Sequence, residues 1–351
     1  MDIAGAGFKA AAQGTERLPS RPLDIGKLPP TLLGELITRR GAVPPELLLP
    51  PRVGEDAAVI QVQGGALIAA SDPVTLTGTG VAAHAVLVNA NDVAVTGARP
   101  RWFFCTLLLP VGTTEDDVRA LFKGMEEALA KVGATLAGGH TEVTDSVKRT
   151  VVVGQMLGLR EDGGFIPTGG VSVGDAILQV APAPIEAAAV LAAEMPPGVP
   201  ALSPQLMEQA RAAILDPGIS VVETALIAAE HGAKALHDPT EGGLSAGIHE
   251  LAEASGVRLR VECGAVLWFE PGRALCRALG ADPWGALASG TLLAAFAAGD
   301  LAGAQAALRN AGHATAVIAR AEAGAGVVFE DGRPLPRFDR DEVARVLAPA
   351  S

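Results

Sequence analysis

The stretch Val81-Ala82-Ala83-His84-Ala85-Val86-Leu87-Val88-Asn89-Ala90-Asn91-Asp92-Val93-Ala94-Val95-Thr96-Gly97-Ala98-Arg99-Pro100 decides how this chain folds. It reads as a helix over Ala82–Thr96, stopped by Gly97 and sealed by Pro100. A helix that is apolar all round is a buried one. Yet Asn89, Asn91 and Asp92 sit in its middle, and Asn89, Asp92 and Thr96 follow an i, i+3, i+7 spacing that places them on one face. A carboxylate inside a core is costly unless a cation, a metal or a set of donors meets it. Asp92 therefore marks either a structural hydrogen-bond network or a ligand site.

Working outward, the chain has 351 residues, which suits two domains. Its apolar content of 49%, with 42 Gly and 25 Pro, suits a compact α/β or α+β protein rich in turns. A net charge of −12 excludes a basic nucleic-acid surface, and an anionic ligand must then be met by metal ions, Arg or helix N-termini. Cys105, Cys263 and Cys276 form no CxxC pair, which fits a reducing compartment and no structural zinc. No apolar run is long enough to span a membrane, and the first residues lack a signal-peptide core, so the expectation is a cytoplasmic protein.

Residues 1–27 read as a flexible arm. A short helix carries Leu32, Leu33, Leu36 and Ile37, and strands are expected over Ala57–Val62 and Ala66–Ala70 around Gly64-Gly65. After the organising helix come a strand over Trp102–Leu109 and a helix capped by Thr114, with a predicted buried stripe of Val118, Leu121, Phe122, Met125, Leu129 and Val132. A short strand over Ala134–Ala137 ends at the turn-like Gly138-Gly139-His140-Thr141-Glu142, and Thr150–Leu157 is a further strand. The Gly-rich stretch Glu161–Gly174 marks the domain boundary. Beyond it the expectations are a strand over Ala176–Val180, a loop over Met195–Pro204 and a helix over Ser220–His231. A strand over Ala233–Leu236, a helix over Leu244–Ala254 and a strand over Thr291–Phe296 follow.

Familiar motifs are absent or out of place. There is no GxxxxGK[ST], which removes a P-loop. Gly78-Thr79-Gly80-Val81-Ala82-Ala83 matches a relaxed dinucleotide fingerprint, but no acid follows at the required distance. Gly243-Leu244-Ser245-Ala246-Gly247 matches a nucleophile elbow, yet Ser245 falls inside a helix rather than at a strand-to-helix turn. Three acids stand beside small residues at element ends or inside the organising helix: Asp56, Asp72 and Asp92. Hard carboxylate oxygens of this kind suit Mg²⁺ completed by phosphate and water. Taken singly, Asp56 and Asp72 are also ordinary turn residues.

Taken in order, Gly54-Glu55-Asp56-Ala57-Ala58-Val59, Ser71-Asp72, Asn89-Ala90-Asn91-Asp92-Val93-Ala94, Gly138-Gly139-His140-Thr141, Asp238-Pro239-Thr240-Glu241-Gly242-Gly243-Leu244 and Ser289-Gly290-Thr291-Leu292-Leu293 resemble the AIR-synthase (PurM-like) superfamily. Within it the chain is most similar to the hydrogenase-maturation carbamoyl dehydratase branch. The resemblance implies a two-domain fold of α/β and α+β type: an N-terminal domain, residues 28–165, that pairs into a dimeric β-barrel, and a C-terminal α+β domain, residues 170–335, followed by a tail over 336–351. It implies a homodimer binding Mg²⁺ and ATP near the dimer interface, and phosphorylation of an amide or carboxyl oxygen. The acceptor would be a small molecule or be borne by another protein, with no nucleic acid or membrane involved.

By the same resemblance, Asp56, Asp72 and Asp92 would hold Mg²⁺, and Asn89 and Asn91 would orient that shell or bind ATP. Gly138, Gly139, Thr141 and Thr240 would line the nucleotide's phosphates. His140, Glu142 and Asp238 would serve catalysis. The carbamoyl dehydratase branch carries its substrate on a C-terminal Cys, whereas this sequence ends Leu347-Ala348-Pro349-Ala350-Ser351. The expectation is therefore an acceptor that is not the chain's own terminus. The alternatives are a thiamine-monophosphate-kinase-like or selenophosphate-synthetase-like phosphotransferase, or an ATP-binding homologue without turnover.

Overall fold

The computed structural model describes residues 30–37, 44–50, 52–74, 80–195 and 202–348. The expected N-terminal arm, Gly78-Thr79 and most of the Met195–Pro204 loop lie outside the described residues.

Strand β1 (Leu47–Leu49) follows helix α1 (Pro30–Ile37), and β2 (Ala58–Val62) and β3 (Gly65–Ala70) form the expected hairpin. After β4 (Pro73–Val74), the organising helix α2 spans Val81–Ala94. Strand β5 (Arg99–Pro110), helix α3 (Glu115–Val132) and β6 (Thr135–Thr144) make a crossover unit, so β5 and β6 are parallel, and β7 (Val151–Arg160) returns antiparallel to β5. Among the described residues these strands form one sheet in the order β1-β2-β3-β7-β5-β6, with β4 also paired to β7. Thr114 caps α3 as expected: its hydroxyl accepts from Asp117 N at 3.2 Å while the Asp117 carboxylate accepts from Thr114 N at 2.9 Å.

The second domain contains β8 (Ala176–Val180), α4 (Ile185–Ala193), α5 (Pro204–Ala212), α6 (Val222–Glu230), β9 (Ala235–His237) and α7 (Gly243–Ser255). It continues with β10 (Arg258–Val261), α8 (Glu270–Leu279), β11 (Leu292–Phe296), α9 (Ala298–Asn310), β12 (Thr315–Glu322), β13 (Gly326–Phe329) and α10 (Glu342–Val346). Its sheet runs β13-β10-β12-β8-β11-β9. Strands β8 and β11 are buried on both faces. Their alternate residues serve two cores, as a period of two requires. Leu178, Val180, Leu292 and Phe296 face a cluster that continues through α6 into α2 and the first sheet, while Ile177, Leu293 and Ala295 face α7. The two domains thus share one apolar cluster, and α2 runs through it. Ala85, Val86, Ala90, Val93 and Ala94 are fully buried there; each such valine contributes about 1.5–3 kcal/mol.

Two expectations are corrected. Gly138–Glu142 is not a turn: β6 runs through it as a ten-residue outer strand paired with β5, with a one-residue register shift at Ala137 and a continuous register from Phe104↔Gly138 to Pro110↔Thr144. The pairing with β5, invisible in the local sequence, overrides the turn preference of two glycines. Gly139 fits because it has a φ of +150°, and a Cβ there would stand 2.0 Å from Cys105 O. The α3 stripe is only half covered: Met125 and Leu129 are buried, but Phe122 is 38% exposed. Phe122 leans toward β6, whose own outer side is open.

Candidate functional site at the domain seam

The two asparagines of α2 tie the helix to both domains. Asn91 Nδ2 donates to Ile219 O and Asn91 Oδ1 accepts from Val221 N, both at 2.8 Å and both in the segment leading into α6. Asn89 turns toward the first sheet. Its Oδ1 accepts from Asp72 N at 2.9 Å, and its Nδ2 donates to Ala85 O at 2.8 Å and Asp72 O at 3.2 Å. A Cβ on Gly154 would lie 2.4 Å from Asn89 Nδ2, so β7 approaches α2 this closely only with glycine there. In this structure both carboxamides are engaged with main-chain groups. Asp72 is fixed to α2 through its backbone, and Asp92 stands one helical turn beyond Asn89, 6% exposed. Continuing the β2–β3 register past Ala58↔Ala69 sets Asp56 opposite Ser71, at the same end of the hairpin as Asp72. The structure therefore brings Asp56 and Asp72 to one corner, with Asp72 fastened to the helix that carries Asp92.

The residue that sequence reading missed is His237, the last of β9. Its Nδ1 lies 2.9 Å from Asp56 Oδ2, and its Nε2 lies 2.7 Å from Glu250 Oε2 on α7. The His237 side chain is 3% exposed, Asp56 23% and Glu250 38%. Burial pulls the imidazole's pKa down, but Asp56 and then Glu250 outweigh it and hold His237 well above the usual value. A protonated histidine thus bridges an acid of the first domain and one of the second. Nothing in the spacing of a lone His signals this, because Asp56 is 181 residues away. Its one sequence signal is adjacency to Asp238.

Next along the chain, the Asp238–Gly243 turn opens α7. Its Gly242 N donates to Asp341 Oδ2 at 2.8 Å, so the segment before α10 pins the turn. Thr240 O accepts from Gly243 N and Ala288 N, which ties the turn to Ser289-Gly290-Thr291. Ser245 is buried inside α7 and donates to Pro336 O, a structural contact rather than an exposed nucleophile.

His140 and Glu142 lie elsewhere. They project from the same side of β6, 3.3 Å apart, with their side chains 64% and 49% exposed. A cavity of about 200 Å³ lies beside them, lined by Cys105, Phe122, Gly138, Gly139, His140 and Thr141 among others. Four strand spacings separate β2 from β6 in the sheet order. At about 4.8 Å each, that is roughly 19 Å. One copy of the chain does not bring His140 and Glu142 to Asp56.

Among the described residues no three His, Cys, Asp or Glu side chains form a group arranged to hold a metal ion. The acids at the seam instead fit a hard cation that takes one or two carboxylates and completes its shell with phosphate oxygens and water. No single described helix is long and apolar enough to cross a membrane.

Comparison with known proteins gives the family and the fold. The chain is 29% identical over 293 residues to the carbamoyl dehydratase HypE of Cupriavidus necator, covering 80% of this chain and 79% of that protein. The crystal structure of the hydrogenase maturation protein HypE in complex with ATP superposes with a TM-score of 0.68 at 23% identity, over 82% of this chain and 89% of that one. AaThiL complexed with AMPPCP and TMP gives 0.68 at 18% identity, over 88% and 94%. These two structures share the fold. The AIR synthase related protein N-terminal domain matches residues 54–159, and the C-terminal domain of the same name matches residues 172–332. With both domains present and in order, the chain belongs to the AIR synthase related family.

Proposed function

We propose that this chain is an ATP-dependent enzyme of the carbamoyl dehydratase type, which activates the oxygen of a primary amide or carboxyl group by phosphorylation. The observation that carries this reading is the seam, where Asp72 is bonded to Asn89 of α2 and Asp56 to His237 of the second domain, in a chain similar to HypE proteins that include carbamoyl dehydratases and a structure solved with ATP. Asp56, Asp72 and Asp92 are the groups that would hold Mg²⁺, which when bound neutralises phosphate charge. Asn89 and Asn91 keep α2 and Asp72 in place. Asp238 and Thr240 approach from the second domain, on a turn whose amides head α7. Catalysis of this kind is positioning plus charge neutralisation.

The reading includes a homodimer. Strand β6 is an open edge with Leu136 41% and Val143 56% exposed. An edge of this length with apolar side chains is a site for pairing with another strand. A second copy docked there would cover the β6 cavity and bring a second set of His140, Glu142, Gly138, Gly139 and Thr141 to the nucleotide, which one copy alone leaves distant from Asp56.

The acceptor in this reading is not a cysteine of this chain. Cys105 and Cys276 are buried, and burial pushes their thiols up to about 11 and about 12, far from the thiolate form that carries an acyl group. Cys263 is exposed. The test is ADP formation with Mg-ATP and a panel comprising S-carbamoyl-N-acetylcysteamine, acetamide and thiamine monophosphate, followed by mass spectrometry of products and protein. Loss of water from the thiocarbamate, giving the thiocyanate, supports the reading. Phosphorylation of thiamine monophosphate alone would replace it with the kinase alternative, and a stable mass gain on Cys263 would restore a self-modifying mechanism.

A further inference from the structure

A second buried polar cluster lies at the N-terminal end of α2, two turns before Asn91 on the same face. His84, in its first turn, has Nε2 3.1 Å from Glu186 Oε1, and Glu186 Oε2 accepts a hydrogen bond from Ser289 Oγ. The three residues come from three places: α2 of the first domain, the first turn of α4, and the Ser289-Gly290-Thr291 segment ahead of β11. Ala288 N donates to Thr240 O at 3.3 Å, so this segment is bonded to the Asp238–Gly243 turn, and Glu241 of that turn acts electrostatically on His84. Two of the segments that carry the family resemblance therefore meet at this cluster.

Its composition is hard to explain by stability. Glu186 is the one charged residue in α4, Ile185-Glu186-Ala187-Ala188-Ala189-Val190-Leu191-Ala192-Ala193, and its side chain is 4% exposed. Placing an ion in so apolar a helix costs desolvation that its partners at best return. What the arrangement does achieve is a carboxylate in the first turn of α4 held in place by His84 on one oxygen and Ser289 on the other. Ser289 is 1% exposed and Glu186 3%, whereas the His84 side chain is 13% exposed. Of the three, His84 is the most exposed.

We propose that His84 is a proton-transfer residue of the seam site, with Glu186 and Ser289 as its positioning residues. This rests on the amide-dehydration reading. There the acceptor R–C(=O)–NH₂ takes the terminal phosphoryl group of ATP on its oxygen; the bond to the bridging oxygen breaks and ADP leaves. The nitrogen then gives up both protons and the C–O bond breaks, leaving R–C≡N and inorganic phosphate. One proton departs with phosphate as HPO₄²⁻ and the other reaches solvent. The neutral imidazole takes an N–H proton and hands it on, ending as it began. Because Nε2 is directed at Glu186, the exchange runs through Nδ1. Burial lowers the His84 pKa, but Glu186 and then Glu241 outweigh it and the net shift is upward, so the base form gains on the alkaline side of its ordinary value.

The experiment measures kcat and kcat/KM for S-carbamoyl-N-acetylcysteamine against pH in wild type, H84Q, E186Q and S289A, with the Mg-ATP-induced rise in Tm recorded for each. His84→Gln is expected to lower kcat by roughly 10²–10⁴-fold, the range for a lost acid–base group, while leaving the Mg-ATP rise intact. Glu186→Gln is expected to move the acidic limb of the kcat/KM profile to lower pH, a change that loss of packing would not produce. H84Q turning over within threefold of wild type, or E186Q with an unmoved limb, would overturn the assignment while leaving the enzyme reading in place. A wild type that forms no nitrile-type product from any amide would overturn both.

Discussion

The seam between the domains and the outer strand β6 carry the two halves of the expected site, and they are built in opposite ways. At the seam Asp56 and Glu250 are half-buried and met by His237, and Glu186 is buried and met by His84 and Ser289. On β6, His140 and Glu142 stand in the open beside exposed Leu136 and Val143. Preorganised charge belongs where a site is already assembled. An open edge bearing functional residues belongs where assembly needs a second chain.

The largest expected effect tests the seam. His237→Ala removes the cation between two partly buried carboxylates, a change that costs about 3–5 kcal/mol for a fully buried pair. With Asp56 and Glu250 still partly in water, the low end of that range is the expectation in urea unfolding. A loss below about 0.5 kcal/mol, the ordinary surface range, would mean the bridge does not hold the domains.

Asn91→Ala comes next. It leaves Ile219 O and Val221 N without their partner inside the protein, and each orphaned buried group costs about 1–3 kcal/mol. An exposed-residue response would show that the seam relaxes around the gap. Asp341 offers a pH test of the pinned turn. Burial lifts its carboxyl from 3.8 to about 6. A raised acid favours the folded state while protonated, so its contribution is full below the unfolded value and is lost as pH rises through the folded one. Wild type should therefore lose on the order of 1–3 kcal/mol relative to Asp341→Asn between pH 4 and 7, and parallel curves for the two proteins would contradict it.

The smallest effect on protomer stability is expected at the edge. Leu136→Lys with Val143→Lys should change unfolding free energy by no more than about 0.5 kcal/mol, yet convert the proposed dimer to a monomer in light scattering. A wild type that is monomeric at micromolar concentration would remove the edge from the comparison.

Most of the element order was readable because it rests on local signals. The α3 cap at Thr114, the Gly64-Gly65 hairpin and the all-apolar α2 each announce themselves in a few residues. What stayed hidden depends on long-range pairing. Gly138-Gly139 reads as a turn until β5 is seen beside it. His237 and His84 read as lone histidines, since Asp56 and Glu186 reach them only after both domains have folded. The acids were legible as types, and their partners were not.

The central claim is the proposal that Asp56, Asp72 and Asp92 bind a Mg-nucleotide, and thermal unfolding of wild type and Asp92→Asn with and without Mg-ATP tests it most directly. Saturating ligand at about 100 times Kd stabilises a folded state by about 2.7 kcal/mol. The account predicts a clear rise in wild-type Tm that is largely abolished in Asp92→Asn, each rise measured against the same protein without nucleotide. An equal rise in both would take Asp92 out of the site, and no rise in either would contradict nucleotide binding at the seam.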